Sequence, residues 1–365
     1  MIPYSCQWID QDDINAVTEV LKSDMITTGS KVKEFEEAVA KYVGSKYAVA
    51  VSSGTAALHL AMLATDSKGI MTSPNTFLSS ANCAHFVKGH VKFIDICKDT
   101  YNIDIGDIIN QLEGGLDAII PVDFAGQPCK LDELKDIARD NYLHIIEDAS
   151  HALGAEYKGK KVGSISELTV FSFHPVKMIT TGEGGMITTD NEIYYDDLLM
   201  LRNHGITRDK KIMNEYPGDW YYEMQMLGYN YRLTDIQCAL GISQLKKLDR
   251  FIKRRREIAK IYDEELANDV VIPYQKPNVK SAYHLYVIQV ENRDKVFAEL
   301  RKRGIGCQVH YIPVYKQPFY KTKWYGDCPV MEEYYKHCLS IPIFPKMTDE
   351  DVKRVISEVK DVIKC

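Results

Sequence analysis

Apolar positions recurring at three- and four-residue steps predict two amphipathic helices early in the chain, over 12–23 (DDINAVTEVLKS) and 31–42 (KVKEFEEAVAKY), parted by the breaker Thr27-Thr28-Gly29. The pattern then changes. Short apolar runs at 47–51, 69–72, 91–96, 117–123, 142–148 and 168–173 alternate with helical stretches. Such alternation predicts βα units around a mostly parallel sheet with helices on both faces. From Leu233 the chain runs through a basic stretch into a long predicted helix ending near Asn268. A domain boundary is expected near 245, giving a large domain over 1–245 and a small α+β domain over 246–365. The second part should hold a strand at 284–290, a helix at 294–303, a strand ending at His310 and Tyr311, and a C-terminal helix opening at 348–352. No internal repeat interrupts this order, and the charge run at 253–257 reads as a solvated helix face.

Composition narrows the picture. The chain has 365 residues, 45% hydrophobic and 26% charged, with a formal charge of −6, which offers no basic field for a nucleic-acid backbone. The first residues, MIPYSCQWIDQDD, show no basic-then-apolar leader, and no segment approaches the ~18 apolar residues of a membrane span. A cytoplasmic protein without nucleic-acid or membrane partners is the expectation. Nine cysteines are scattered without a CxxC pair or a Cys/His cluster, so reduced thiols and no metal site are expected.

Three stretches carry candidate chemistry. SSGTAALHLA (52–61) follows a strand and opens a helix, bringing free amides and the Thr55 hydroxyl to a positive helix end suited to a phosphate dianion. A plain turn capped by Ser53 explains it equally well. YLHIIEDASHALGA (142–155) ends a buried strand in two carboxylates, where open α/β sheets place ligands. Asp148 there would favour a protonated pyridine nitrogen; an acidic strand end facing water is the alternative. In FSFHPVKMITTGEGGM (171–186), Lys177 follows a strand among apolar neighbours. A desolvated amine loses its proton and attacks aldehydes, although most lysines are solvated surface charges.

Together with RNHG (202–205) and GYNYRLTDIQCALG (228–241), these blocks resemble the successive signatures of the DegT-type sugar aminotransferases, end to end. The resemblance implies an α/β fold of the aspartate aminotransferase type (fold type I), with pyridoxal 5'-phosphate attached to Lys177, which also acts as the proton-moving base. It assigns Asp148 to the pyridine nitrogen and His151 to the phenolic oxygen. Gly54, Thr55, Ala56 and Ser172 take the phosphate. Phe77 stacks on the ring, against the alternative of an ordinary core phenylalanine. Family members are homodimers with shared active sites, and Asn230 matches the residue that reaches the phosphate from the partner chain.

Within the family the chain is most similar to enzymes that aminate a UDP-linked 4-keto-6-deoxy-L-hexosamine at C4 in pseudaminic acid biosynthesis, with glutamate as donor. That likeness rests on PYS (3–5), SHALGAEY (150–157), KKVG (160–163) and QVHYIPVY (308–315). It implies a substrate pocket formed by the N-terminal segment 1–12 through Tyr4, the turn Asp24, Met25, Ile26 and Thr27, and His310 with Tyr311. Tyr311 packed under the C-terminal helix is the alternative. A D-configured dTDP- or UDP-linked keto sugar would use the same cofactor residues. A pyridoxal-dependent dehydratase would lack the lysine, and a non-catalytic protein on this fold would not need the intact Lys177, Asp148 and Ser172.

Overall fold

The computed structural model of the chain describes residues 1–322 and 326–364. At its centre lie seven strands, β1 (Tyr47–Val51), β2 (Gly69–Thr72), β3 (His90–Phe93), β4 (Ala118–Ile120), β5 (His144–Asp148), and, beyond a small hairpin of β6 (Glu156–Tyr157) and β7 (Lys160–Lys161), β8 (Leu168–Ser172) and β9 (Gly185–Thr189). Their order across the sheet is β1-β9-β8-β5-β4-β2-β3, and only β9 runs against the rest. Every residue of β2, β4 and β9 is buried, as expected where helices cover both faces. β4 stops at Ile120, short of the predicted 123, because Pro121 has no N–H to continue the ladder. β9 went unpredicted: it follows the glycine-rich turn directly, and its five residues carry two threonines.

Helix α1 (Gln11–Leu21) is closed by a capping box between Asp10 and Asp13, and α2 (Ser30–Val43) ends on Gly44 in the left-handed region. Helix α3 (Gly54–Ala64) is apolar around most of its circumference and buried against the sheet, since Ala56, Ala57, Leu58, Leu60, Ala61 and Met62 are at most 5% exposed. The expected long helix after Leu233 is two helices, Asp235–Leu245 and Leu248–Leu266. At the break, Lys247 forms ion pairs with Asp10 and Asp13.

The Leu248–Leu266 helix joins two cores. Leu248 and Ile252 pack with the central-sheet core. Ile258, Ala259, Tyr262 and Leu266 pack instead with the antiparallel pair Tyr286–Gln289 and Cys338–Ile341 and with the helices Arg293–Lys302 and Asp349–Ile363. The N-terminal segment crosses to this second core: Ile2 donates to the Gly304 carbonyl at 2.9 Å and Ile343 donates to that of Tyr4 at 3.1 Å. The predicted strand ending at His310 and Tyr311 is not formed. Only an isolated bridge between Gln308 and Ser340 is made, because the Tyr334 hydroxyl takes the His310 carbonyl at 2.8 Å. Among the described residues, no helix is long and apolar enough to cross a membrane.

Arg255, 1% exposed, sits where the two cores meet. One guanidinium nitrogen donates to the carbonyls of Tyr283, His284 and Ile343 at 3.2, 3.2 and 2.8 Å. Replacing it strands three buried acceptors, so Arg255→Met should lower unfolding free energy by about 2–4 kcal/mol in urea titrations; a change within about 0.5 kcal/mol would show these bonds to be dispensable.

Candidate active site

The carboxyl ends of β4, β5 and β8, the start of α3 and the 308–312 loop enclose a cavity of about 900 Å³. Tyr4, Gly54, Thr55, Phe77, Asp148, His151, Ser172, Lys177, His310 and Tyr311 all line it. Residues predicted from distant stretches thus converge on one space, at the sheet edge where open α/β folds bind ligands.

Ser53 caps α3 by accepting from the Ala56 amide at 3.0 Å. That engages Ala56, which is buried and outside the cavity lining, so the predicted use of its amide for a ligand competes with the cap. Gly54 and Thr55 open the helix, where amides have no intrahelical acceptor. A methyl group at Gly54 would lie 3.0 Å from the Ser172 Cβ and 3.3 Å from its hydroxyl. A β-carbon at Gly185 would come within 2.5 Å of the Ser53 carbonyl. Strand β9 therefore passes directly beneath the start of α3, and two amides and a hydroxyl are left around one small space.

Asp148, 4% exposed, accepts from the Ser80 hydroxyl at 2.6 Å and the Ser150 amide at 3.1 Å. Ser80 in turn lies 2.7 Å from the Thr76 hydroxyl. Sequence reading missed both, since nothing in SPNTFLSS distinguishes Ser80 from its neighbours. Lys177 follows the turn after β8, half-buried. Desolvation of its amine lowers the pKa to about 8, against the opposing pull of Asp148.

His151 is buried, with its Nε2 3.1 Å from the Tyr311 hydroxyl and its Nδ1 unpartnered. Its ring lies against that of His284, centroids 4.3 Å apart. Burial first, then Lys177 and His310, push its protonation far below the usual histidine range. His310, held by the Ser340 hydroxyl at 2.8 Å, is pushed down to about 3 by burial and Lys177. Both imidazoles are neutral at pH 7, and burial raises the Tyr311 phenol. Tyr311 thus lies against His151 in the cluster that holds Phe124 and Tyr334, whereas the C-terminal helix packs in the other core. Phe77 is 58% exposed, an open ring at the cavity and not a core phenylalanine.

Other predicted residues are not brought here within one chain. Asp24, Met25, Ile26 and Thr27 are exposed, and the first two border a separate cavity of about 920 Å³ between α1, α2 and the Asp235–Leu245 helix. Asn230 is exposed and bridges to Asn203. The cavity instead extends along Arg293, Phe297, Gln308 and Tyr335, which sequence reading did not single out. Among the described residues, no group of three or more His, Cys, Asp or Glu could hold a metal, and eight cysteines are free. Cys365 lies outside the described residues.

The donor set suits pyridoxal phosphate: unpaired amides and a hydroxyl for a dianion, a buried carboxylate for a ring nitrogen, an unpartnered imidazole nitrogen, and an amine with lowered proton affinity. Residues 7–360 match the DegT/DnrJ/EryC1/StrS aminotransferase family. A Campylobacter jejuni protein named UDP-4-amino-4,6-dideoxy-N-acetyl-beta-L-altrosamine transaminase is 43% identical over 369 residues, 97% of this chain and 96% of its own. The Helicobacter pylori structure of PseC, an aminotransferase involved in the biosynthesis of pseudoaminic acid, superposes with a TM-score of 0.94 at 31% identity, covering 100% of this chain and 99% of its own. The PLP-form of Spr1654 from Streptococcus pneumoniae superposes with a TM-score of 0.93 at 30% identity, covering 100% of this chain and 98% of its own.

In cofactor-free protein, modification of Lys177 by an amine-selective reagent, followed by mass spectrometry, should be half-maximal near pH 8. In Asp148→Asn, which removes the charge that favours the protonated amine, the midpoint should move lower. A wild-type midpoint above about 10 would mean the amine is solvated like an ordinary lysine.

Proposed function

Because the chain belongs to the DegT/DnrJ/EryC1/StrS aminotransferase family and is a pyridoxal-phosphate-dependent sugar aminotransferase, we propose that it aminates a UDP-linked 4-keto-6-deoxy-L-hexosamine at C4, with glutamate as donor, in pseudaminic acid biosynthesis. The observation that carries the chemistry is the Lys177 amine and the Asp148 carboxylate in one cavity beside the open end of α3. The likeness to the altrosamine transaminase and to PseC supports the sugar.

When bound, pyridoxal phosphate supplies an electrophilic aldehyde and a ring that withdraws electrons from a substrate carbon losing its proton. The chain's own residues do the rest. Gly54 and Thr55 amides with the Ser172 hydroxyl hold the phosphate, where the helix dipole adds to their pull. Asp148, fixed by Ser80 and Ser150, holds a proton on the ring nitrogen. Its two hydrogen bonds keep the carboxylate from turning away. Lys177 Nζ would hold the cofactor and, once the amino donor has displaced it from that bond, the freed amine, partly uncharged near neutral pH, would accept and return the proton at the reacting carbon. His151 stays neutral and offers a ring nitrogen to the phenolic oxygen, oriented by Tyr311. Phe77, exposed at the cavity, would offer its face to the cofactor ring.

Tyr4, His310 and Tyr311, which line the cavity, would face the sugar. Asn230 and the 24–27 turn, exposed and remote from their own chain's cavity, complete the site of a second copy in a two-fold dimer. A dTDP- or UDP-linked D-sugar would be handled by the same cofactor residues and distinguished only by pocket shape.

Incubation with glutamate and a panel of UDP- and dTDP-linked 4-keto sugars should release 2-oxoglutarate with the UDP-L-hexosamine; turnover confined to a dTDP sugar would refute the assignment. Lys177→Ala should stay folded and lose at least about a thousandfold in transamination, and near-wild-type turnover would reassign the lysine. Mixing Lys177→Ala with Asn230→Ala should restore part of the activity through hybrid dimers, whereas no recovery from confirmed hybrids would exclude a shared site.

A further inference from the structure

Two carboxyl groups without a direct part in the reaction lie immediately behind Asp148. Asp123, beyond the end of β4, and Glu147 of β5 are both 0% exposed. Each has one oxygen satisfied: the Cys129 amide donates to Asp123 Oδ1 at 2.9 Å and the Thr169 hydroxyl to Glu147 Oε2 at 2.9 Å. The remaining oxygens, Asp123 Oδ2 and Glu147 Oε1, receive nothing. β4 and β5 are paired and Val122 bridges to Asp148, so Asp123 and Glu147 lie on neighbouring strand ends, where each carboxyl acts directly on the other. Ionised carboxylates are acceptors only, so a hydrogen bond between the two requires a proton within it.

The surroundings supply hydroxyls but no positive charge. The groups that act most strongly on the pair are the Asp148 carboxylate, the Cys129 thiol and the Ser166 and Thr169 hydroxyls, and none of these is a cation; the Ser166 hydroxyl, without another partner, can donate to Glu147 but cannot replace a proton between two carboxyls. The thiol already donates to the Val122 carbonyl at 3.2 Å. Burial, followed for Asp123 by the charge of Glu147, holds Asp123 well above the usual carboxylate range; burial, with Asp148 adding, raises Glu147. The backbone ties the three acids together, since Asp123 donates to the Asp148 carbonyl at 3.1 Å.

We propose that Asp123 and Glu147 share one proton as a buried carboxylic acid–carboxylate pair, and that the single negative charge the pair keeps stands behind Asp148 as a positioning element. The charge adds to the field of Asp148 on the cavity side and favours a cation there. This second half rests on the functional reading above; the shared proton does not.

The cofactor-free protein tests the proton. Asp123→Asn and Glu147→Gln each supply an N–H to the stranded oxygen without taking up a proton. A carboxyl whose folded pKa is raised stabilises less as pH climbs from the unfolded pKa through the folded one. The wild type should therefore lose stability with rising pH relative to both variants, whose Tm should gain on it by ~2 °C or more between about pH 5 and about pH 9. A difference that stays flat overturns the shared proton, and Glu147→Gln decides alone if Asp123→Asn does not fold. In the cofactor-loaded protein each single variant keeps one negative charge and the double variant keeps none. The pH midpoint of the bound cofactor's visible absorption should fall by about one unit in the double variant relative to either single one; equal midpoints overturn the role toward Asp148. If the wild type takes up no pyridoxal phosphate, the functional reading falls and that role with it, while the thermal comparison still decides the proton.

Discussion

Removing an amine from water while keeping it close to a carboxylate sets the terms for the rest of this molecule. Desolvation of Lys177 favours the neutral amine, and Asp148 favours the charged one. The balance leaves an amine that can both hold and release a proton near neutral pH. Each neighbouring feature preserves it. His151 and His310 are kept uncharged by burial and by Lys177 itself, so no second cation competes for Asp148, and Ser80 with Ser150 fixes the carboxylate without neutralising it.

The sheet makes that balance possible by bringing several strand ends to one edge. Asp148 closes β5, Ser172 closes β8, and α3 starts where β1 stops. Each is a local consequence of a short buried strand followed by a turn, and their meeting follows from strand order. The reversed β9 is essential to this geometry. A parallel strand would need a long crossover, whereas β9 returns directly from the glycine-rich turn and slips beneath Ser53.

Much of this was legible in the amino-acid order. Buried strands on a doubly covered sheet read as unbroken apolar runs, which is why β1, β2, β5 and β8 fall where expected. Lys177, Asp148 and Gly54 could be found because each follows such a run. What stayed hidden depends on contacts between distant positions. The 308–311 segment looks like a strand until Tyr334 claims its carbonyl. The Ser80 hydroxyl matters only because folding places it 2.6 Å from Asp148. The 24–27 turn and Asn230 carry the family pattern yet do not line the cavity that gathers the other candidates.

The strap formed by the first residues has a temporal consequence. Tyr4 reaches the cavity wall only because Ile2 and Tyr4 are held by Gly304, Gly306 and Ile343, from the opposite end of the sequence. During synthesis the segment around Ile2 and Tyr4 must therefore wait, without these partners, until Gly304, Gly306 and Ile343 have left the ribosome. The sheet that seats Lys177 and Asp148 can thus form well before Tyr4 closes its wall of the cavity.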